Sequence, residues 1–119
     1  MDEILPGVFH WTTHHEGIGA RVHSYCLEDA DGGVLVDPGV PEEGLDWFQD
    51  RGTPHGILLT NRHHYRDSGR FAEVFGSTVR VHAAGMHEFT KGEAVTPFEF
   101  GEALPNGFLA VGVGVLCPE

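Results

Sequence analysis

Short runs of hydrophobic residues, separated by polar and glycine-rich turns, divide this chain into strand-like and helix-like segments. Residues 8–12 are rich in β-branched and aromatic side chains, which predicts a first strand. Residues 21–28 and 33–36 predict a second and a third strand. The Asp31-Gly32 pair between them is a strong hairpin signal. The start of the chain is therefore predicted to form an antiparallel part of a sheet.

The next segment predicts a helix followed by a buried strand. Pro41 suits the start of a helix and Gly52 its end. Leu45 and Phe48, which lie between them, share one face. Residues 57–60 then form a largely apolar run, as expected for a central strand that is covered on both faces. Strands that alternate with helices in this way predict βαβ units.

A second helix and further strands are predicted in the rest of the chain. Ser68 is a suitable N-cap for this helix, and Gly76 is a suitable end. Phe71, Val74 and Phe75 form its apolar stripe. These patterns place the chain in the α/β class, with a mixed sheet. The remaining predictions are a strand at 78–81, a short helix at 83–89, an edge strand with a proline at 95–100 and a strand at 108–116.

Composition and charge narrow the possible functions. The 119 residues fit one domain, and 18 acidic against 7 basic residues give a net charge of -11 with histidine neutral. This negative charge repels nucleic acid and anionic membranes, so we expect neither as a partner. We expect a cytoplasmic protein, because the sequence shows no secretory signal, no stretch of transmembrane length and no disulfide framework.

The candidate chemistry is concentrated in residues 60–71. This polar stretch, rich in histidine and arginine, follows the predicted central strand and precedes the second helix. Open α/β sheets bind ligands at the carboxyl ends of their strands, so this loop is predicted to be the functional surface. The chain has nine histidines, and histidine is the commonest metal ligand. For His10, His14 and His15 the sequence leaves a lid role and a surface position open, and His82 could approach the same edge of the sheet or be an ordinary loop histidine.

Three landmarks in this order resemble the metallo-β-lactamase fold superfamily. The antiparallel region ends in the sequence Val-Asp-Pro-Gly at 36–39, a helix with an acidic start follows, and an apolar strand then leads into Thr60 and the histidine-bearing loop. The resemblance covers residues 8–89 and implies an αββα fold. Residues 1–119 would then be a single domain that forms the N-terminal part of a longer metallo-β-lactamase-like domain. The aspartate of the first landmark, Asp37, is structural in that superfamily.

The resemblance also implies a metal motif, Thr-His-x-His-x-Asp-His, which is altered in this chain. In the superfamily, its histidines and aspartate bind a dinuclear zinc or iron site that activates water. Aligned without gaps, Asn61 and His63 occupy the His-x-His positions. Tyr65 and Arg66 occupy the Asp-His positions, and Gly69 matches a glycine that follows the motif. Of these five positions, only His63 and Gly69 agree with the superfamily, and a one-residue insertion would bring Asp67 to the aspartate position.

The first hypothesis for this loop is a reduced metal site. His63, together with His64, Asp67 and ligands beyond this sequence, would hold one divalent zinc, iron or manganese ion. Such an ion would activate water to hydrolyse an ester, lactone, thioester or phosphoester. Arg66 weighs against a second ion, since an arginine about 5 Å from a divalent cation is repelled by roughly 6 kcal/mol at an effective dielectric constant near 20.

The second hypothesis is a non-catalytic module that has no metal. Here the loop would bind a small anion or an acidic partner through its polar and basic side chains. Structural roles are also open, because Asp67 suits a helix start and surface arginines commonly pair with acidic residues. The residues predicted for anion binding are Asn61, Arg62, Arg66 and Arg70.

Overall fold

A single seven-stranded sheet organises the protein, and its strands follow one another in chain order. The computed structural model describes residues 1–104 and 107–110. The first four strands pair antiparallel, and the fourth to seventh pair parallel, which confirms the predicted mixed α/β sheet. The strands are β1 Asp2–Leu5, β2 Val8–His15, β3 Ala20–Asp29, β4 Gly32–Val36, β5 Pro54–Leu58, β6 Thr78–His82 and β7 Val95–Phe98. The helices are α1 Asp46–Gln49, α2 Ser68–Phe75 and a 3₁₀ helix, Ala83–Glu88.

Strand β1 is absent from the sequence predictions because its side chains carry no hydrophobic pattern. All four residues are exposed, and the strand is held by backbone pairing with β2. The turn between them contains Gly7 at φ 77°, a left-handed conformation that suits glycine. Strand pairing through backbone hydrogen bonds does not require a particular pattern of apolar residues, so the sequence pattern did not predict this strand.

Helix α1 is much shorter than the helix predicted from Pro41 to Gly52. Gly44 lies at φ 77°, and its N–H donates to the Pro41 carbonyl at 2.9 Å, which closes a turn before the helix begins. The helix is therefore a single turn. Its apolar residue Phe48 is nonetheless buried, with 1% of its surface exposed.

Helix α2 confirms the second predicted helix, with two differences. Gly76 ends it in the left-handed conformation at φ 72°, and its N–H donates to the Ala72 carbonyl. Asp67, not Ser68, is the N-cap residue. Val74 is 49% exposed, so the buried stripe is narrower than predicted and is centred on Phe71, which is fully buried.

The later strands follow the predictions at shifted boundaries. β5 begins at Pro54 and ends at Leu58, before Thr60. β7 is an edge strand that carries Pro97, as predicted, and a proline is tolerated at an edge. Of the strand predicted at 108–116, only Leu109 forms a bridge, with Ala103, and residues 111–116 lie outside the described residues.

One face of the sheet packs against the helices to form the core. The rings of Phe48 and Phe71 meet edge to face with their centroids 5.2 Å apart, so both α-helices contribute to a single aromatic cluster. Aromatic pairs in this arrangement pack well in cores. This aromatic cluster is part of the hydrophobic core, whose buried members are Phe9, Trp11, Cys26, Leu35, Phe48, Ile57, Leu59, Phe71, Val79 and Val81.

Cys26 is expected to resist alkylation while the protein is folded. Burial, with a smaller contribution from the Glu28 carboxylate, raises the pKa of its thiol to about 12, and the thiolate is the reactive form. Iodoacetamide at mildly alkaline pH should therefore leave Cys26 unmodified in native protein and modify it in guanidinium. Peptide mass spectrometry measures both. Equal labelling in the two states would contradict this placement of Cys26.

Candidate functional site

The loops that follow β4 and β5 and the turn between β2 and β3 meet at one end of the strands of the sheet. β4 and β5 are parallel, so the segments after Val36 and Leu58 start side by side. β3 runs antiparallel to β4, so the turn between β2 and β3, residues 16–19, lies at the same end of the strands. The loop 59–67 thus faces the tip of a long hairpin. A cleft between hairpin and loop follows from this topology.

Asp37 joins the end of β4 to the loop after β5. Its backbone is left-handed at φ 49°, and the residue is buried, with 7% of its surface exposed. Its Oδ1 accepts a hydrogen bond from the Thr60 N–H at 2.8 Å. Its Oδ2 accepts from the Thr60 hydroxyl and lies 3.2 Å from His64 Nδ1. One carboxylate therefore holds both the start and the middle of the loop.

The side chain of Arg66 reaches from the loop after β5 back to β3 and to the end of β4. Its Nη1 donates to the backbone carbonyls of His23 and Asp37, each at 2.7 Å. Burial lowers the pKa of the guanidinium, and the Asp37 carboxylate opposes this shift, so the group remains a fixed cation. Arg66 is also left-handed, at φ 48°, which turns the chain sharply before α2. The cation is therefore held in one position by backbone atoms.

A cavity of about 360 Å³ lies between the hairpin tip and this loop. We call it the Arg66 cavity. Its walls combine one guanidinium, three imidazoles and two aliphatic side chains, and none of the described residues contributes a carboxylate to them. A second cavity of about 280 Å³ shares His15, Val22 and Arg66 with it and includes Glu16 and Asp67. The six residues that line the Arg66 cavity are His15, Ile18, Val22, His63, His64 and Arg66.

The three predicted metal ligands do not form a metal site. Within residues 1–104 and 107–110, no three histidine, cysteine, aspartate or glutamate side chains are grouped to hold a metal ion. His64 is engaged with Asp37, and Asp67 Oδ2 accepts the Val40 N–H at 2.8 Å. His63 is exposed on the loop. Two of the three candidate ligands thus have hydrogen-bond partners of their own. The predicted ligand set, which includes ligands beyond this sequence, stays a prediction.

The residues present at the other motif positions do not fit a dinuclear metal group either. Asn61 offers an amide oxygen, and that oxygen already accepts the His63 N–H at 2.8 Å. The Arg66 guanidinium places a positive charge where the motif has a ligand, and cations repel one another. No chemical step in this protein is therefore assigned to a zinc, iron or manganese ion.

The predicted anion-binding residues are dispersed, and only Arg66 of the four lines the cavity. Arg62 lies with its Nε 3.5 Å from Glu88 Oε1, an ion pair with an acidic neighbour. Arg70 is exposed on α2. Asn61 shapes the loop through its bond to the His63 amide. The three arginines thus have different surroundings, and Arg66 is the one whose side chain lines the cavity.

Gly69 has a packing role at the start of α2. A Cβ at this position would lie 2.9 Å from the Tyr65 hydroxyl oxygen, closer than real Cβ atoms approach. Tyr65 in turn packs edge to face on Phe89, with ring centroids 5.7 Å apart. Glycine therefore allows the loop to pack closely on the helix.

The remaining histidines differ in their positions. His15 lines both cavities and His14 only the smaller one, so these two lie over the site on the hairpin. His10 Nε2 lies 2.8 Å from His23 Nδ1, and the two rings stack away from the cavity. His82 accepts the Ala84 N–H and caps the 3₁₀ helix.

Sequence reasoning missed the apolar part of the cavity wall, Ile18 and Val22. The signal that would have found them is the register of the hairpin, in which His15 pairs with Ala20 and Thr13 with Val22. The position of its tip follows only once β2 and β3 are known to extend to His15 and Ala20. The two glycines in residues 17–19 obscured that length.

Comparison with solved structures identifies the fold. The chain matches the crystal structure of a metallo-beta-lactamase family protein from Thermus thermophilus with a TM-score of 0.62 and 22% sequence identity. The match covers 86% of this chain and 49% of the other. This chain therefore has the metallo-β-lactamase fold and spans about half the length of that protein. No protein-family model and no curated protein matches the sequence. Among the described residues, no helix is long and apolar enough to span a membrane.

Proposed function

We propose that this chain is a binding module with the metallo-β-lactamase fold, and that its Arg66 cavity binds a small anion. The observation that carries the proposal is the composition of the cavity wall: among the described residues it holds a fixed guanidinium, three imidazoles and no carboxylate. The guanidinium nitrogens of Arg66 and the imidazole N–H groups of His15 and His63 are donors suited to carboxylate or phosphate oxygens.

The electrostatics of the cavity favour an anion although the whole chain is acidic. The net charge of -11 repels anions at long range, but salt screens this repulsion beyond about 8 Å at physiological ionic strength. At about 4 Å, a cation and an anion attract by roughly 4 kcal/mol at an effective dielectric constant near 20. Arg66 is partly desolvated, which strengthens the attraction. The Asp37 carboxylate behind His64 offsets part of this attraction. The proposal is that the remaining attraction of Arg66 holds a ligand inside the cavity.

Two further features describe the ligand. His15 lines the cavity, and its imidazole offers a polar group to a ligand. Ile18 and Val22 add an aliphatic patch beside the charged groups. The cavity volume of about 360 Å³ suits a small molecule. A carboxylate or phosphate with a short apolar part fits these features.

The metal-dependent hydrolase, the first hypothesis from the sequence, has less support. Within the described residues, His63, His64 and Asp67 are not grouped as three metal ligands. A catalytic zinc site takes about three protein ligands. Anion binding requires only groups that already line the cavity.

Arg66→Met is expected to weaken anion binding at least about 10-fold, because it removes the cation and keeps an unbranched side chain. Calorimetric titration with inorganic phosphate and with adipate measures the affinity. Arg70→Met is the matched control, since Arg70 is exposed and does not line the cavity. Circular dichroism confirms that each variant is folded. Equal affinity of the Arg66 and Arg70 variants, or no binding by the unmodified protein, would refute the proposal.

A further inference from the structure

Asp37 and His64 form a carboxylate–imidazole pair at the wall of the Arg66 cavity. His64 Nδ1 lies 3.2 Å from Asp37 Oδ2, and the His64 ring is among the groups that line the cavity. An ionised carboxylate only accepts hydrogen bonds, so in the neutral imidazole Nδ1 carries the proton. The other nitrogen, Nε2, then holds a free lone pair. Within the described residues, Nε2 has no hydrogen-bond partner.

The pair is held in one orientation. The Asp37 side chain is only 10% exposed, and both of its oxygens are fixed by Thr60, through the backbone N–H and the hydroxyl. His64 is 36% exposed, so one edge of its ring reaches solvent while the other edge contacts a buried carboxylate. A carboxylate that orients an imidazole and selects its tautomer is the arrangement by which histidine acts as a general base.

We propose that His64 is the general base of a metal-independent hydrolysis of a small anionic ester in the Arg66 cavity. This inference rests on the proposed function, since Arg66 would hold the anionic group of the substrate. Asp37 is a positioning residue for His64. The cavity supplies the two requirements of the reaction: a cation that fixes the substrate and a base beside it.

The reaction requires only water and the ester. His64 Nε2 accepts a proton from a water molecule while the water oxygen forms a bond to the acyl carbon and the π electron pair of the carbonyl moves to the carbonyl oxygen. This pair re-forms the double bond when the leaving group departs. The acyl carbon–oxygen bond to the leaving group then breaks, and the leaving oxygen takes the proton from the His64 imidazolium. The products are a carboxylic acid and an alcohol, and the histidine returns to its neutral form. No oxidant, metal ion or cofactor takes part in this sequence of steps.

A structural role for the pair is the alternative, in which His64 only helps to hold Asp37. Asparagine at position 64 separates the two roles, because its amide nitrogen takes the place of Nδ1 and keeps a donor for Asp37, while the Nε2 lone pair is lost. A base role predicts that His64→Asn loses activity. A purely structural role predicts that the variant keeps it.

The test follows hydrolysis of the mono-para-nitrophenyl ester of adipic acid in the presence of EDTA. We expect the unmodified protein to hydrolyse the ester above the buffer rate. His64→Asn should lower kcat about 100-fold with little change in KM, and His64→Gln should behave in the same way. His87→Asn, an exposed histidine of the 3₁₀ helix, is the control and should keep full activity.

Three results would overturn the inference: no hydrolysis above background, full activity in His64→Asn, or loss of activity when EDTA is added. Calorimetric titration of the same proteins with adipate separates this failure from that of the proposed function. Arg66-dependent adipate binding without ester hydrolysis would leave the binding module standing and reject the general base. Failure of adipate to bind, together with absent hydrolysis, would reject both.

Discussion

Asp37→Ala is expected to lower the free energy of unfolding by about 2.5–5 kcal/mol. Loss of the hydrogen bonds to the buried carboxylate costs about 1.5–3 kcal/mol, and leaves Thr60 donors without their acceptor. Alanine in the left-handed conformation found at φ 49° adds about 1–2 kcal/mol of strain. Urea unfolding, followed by far-ultraviolet circular dichroism, measures the change.

Two variants make the Asp37 experiment specific. Asparagine tolerates the left-handed conformation and keeps an oxygen for the Thr60 N–H, so Asp37→Asn should cost only about 1–2 kcal/mol. Asp31→Ala removes an exposed carboxylate from the hairpin turn and should change the stability by less than about 0.5 kcal/mol. If Asp37→Ala proved as mild as Asp31→Ala, the carboxylate would not hold the loop.

Phe71→Ala is expected to lower the free energy of unfolding by about 3–5 kcal/mol, the cost of deleting a buried ring and leaving a cavity. Phe71 is fully buried on α2 and contacts the rings of Phe48 and Phe75. These contacts join the two α-helices to each other within the core, so the surrounding residues cannot easily collapse into the space. Urea unfolding again provides the measurement.

Val74→Ala is the control for the orientation of α2. Val74 lies on the same helix but is 49% exposed, and alanine is the better helix former. The variant should therefore stay within about 0.5 kcal/mol of the unmodified protein. A larger loss at Val74 than at Phe71 would mean that α2 is rotated relative to the sheet.

The sheet could be predicted from the sequence because its central strands and α2 carry clear hydrophobic patterns. The apolar run that contains Ile57 is continuous, as in a buried strand. The apolar residues around Phe71 recur at helical spacing and are followed by Gly76, a suitable helix end. The length of α1 could not be predicted, because it depends on the left-handed backbone of Gly44 rather than on the apolar positions Leu45 and Phe48. β1 is held by backbone pairing with β2 and by a hydrogen bond from the Gly7 N–H to the Glu3 carboxylate, which no hydrophobic pattern records.

The site was predicted in part. Comparison with the superfamily motif drew attention to Arg66, and the structure places this residue on the cavity wall. His63, His64 and Asp67 are not grouped as three ligands among the described residues, and this could not be read from the loop itself because it depends on hydrogen bonds to partners distant in sequence. Asp67, for example, binds the amide of a residue 27 positions earlier, Val40.

The same limitation applies to the hairpin side of the cavity. Ile18 and Val22 reach the loop only because β2 and β3 pair over eight residue pairs, from Val8 with Leu27 to His15 with Ala20. Local sequence shows the two strands but not how far their pairing extends. Long-range register and buried hydrogen bonds are thus the parts of the site that required the structure.

Nuclear magnetic resonance titration with adipate tests the central claim, an anion site at the Arg66 cavity, most directly, because it locates the bound anion. We expect saturable shifts of the backbone amide signals of Val22, His64 and Arg66, and no such shifts in Arg66→Met. Signals of α2 residues that face away from the cavity, such as Val74, should stay unchanged. Absence of saturable shifts, or shifts confined to residues outside the cavity wall, would contradict the claim.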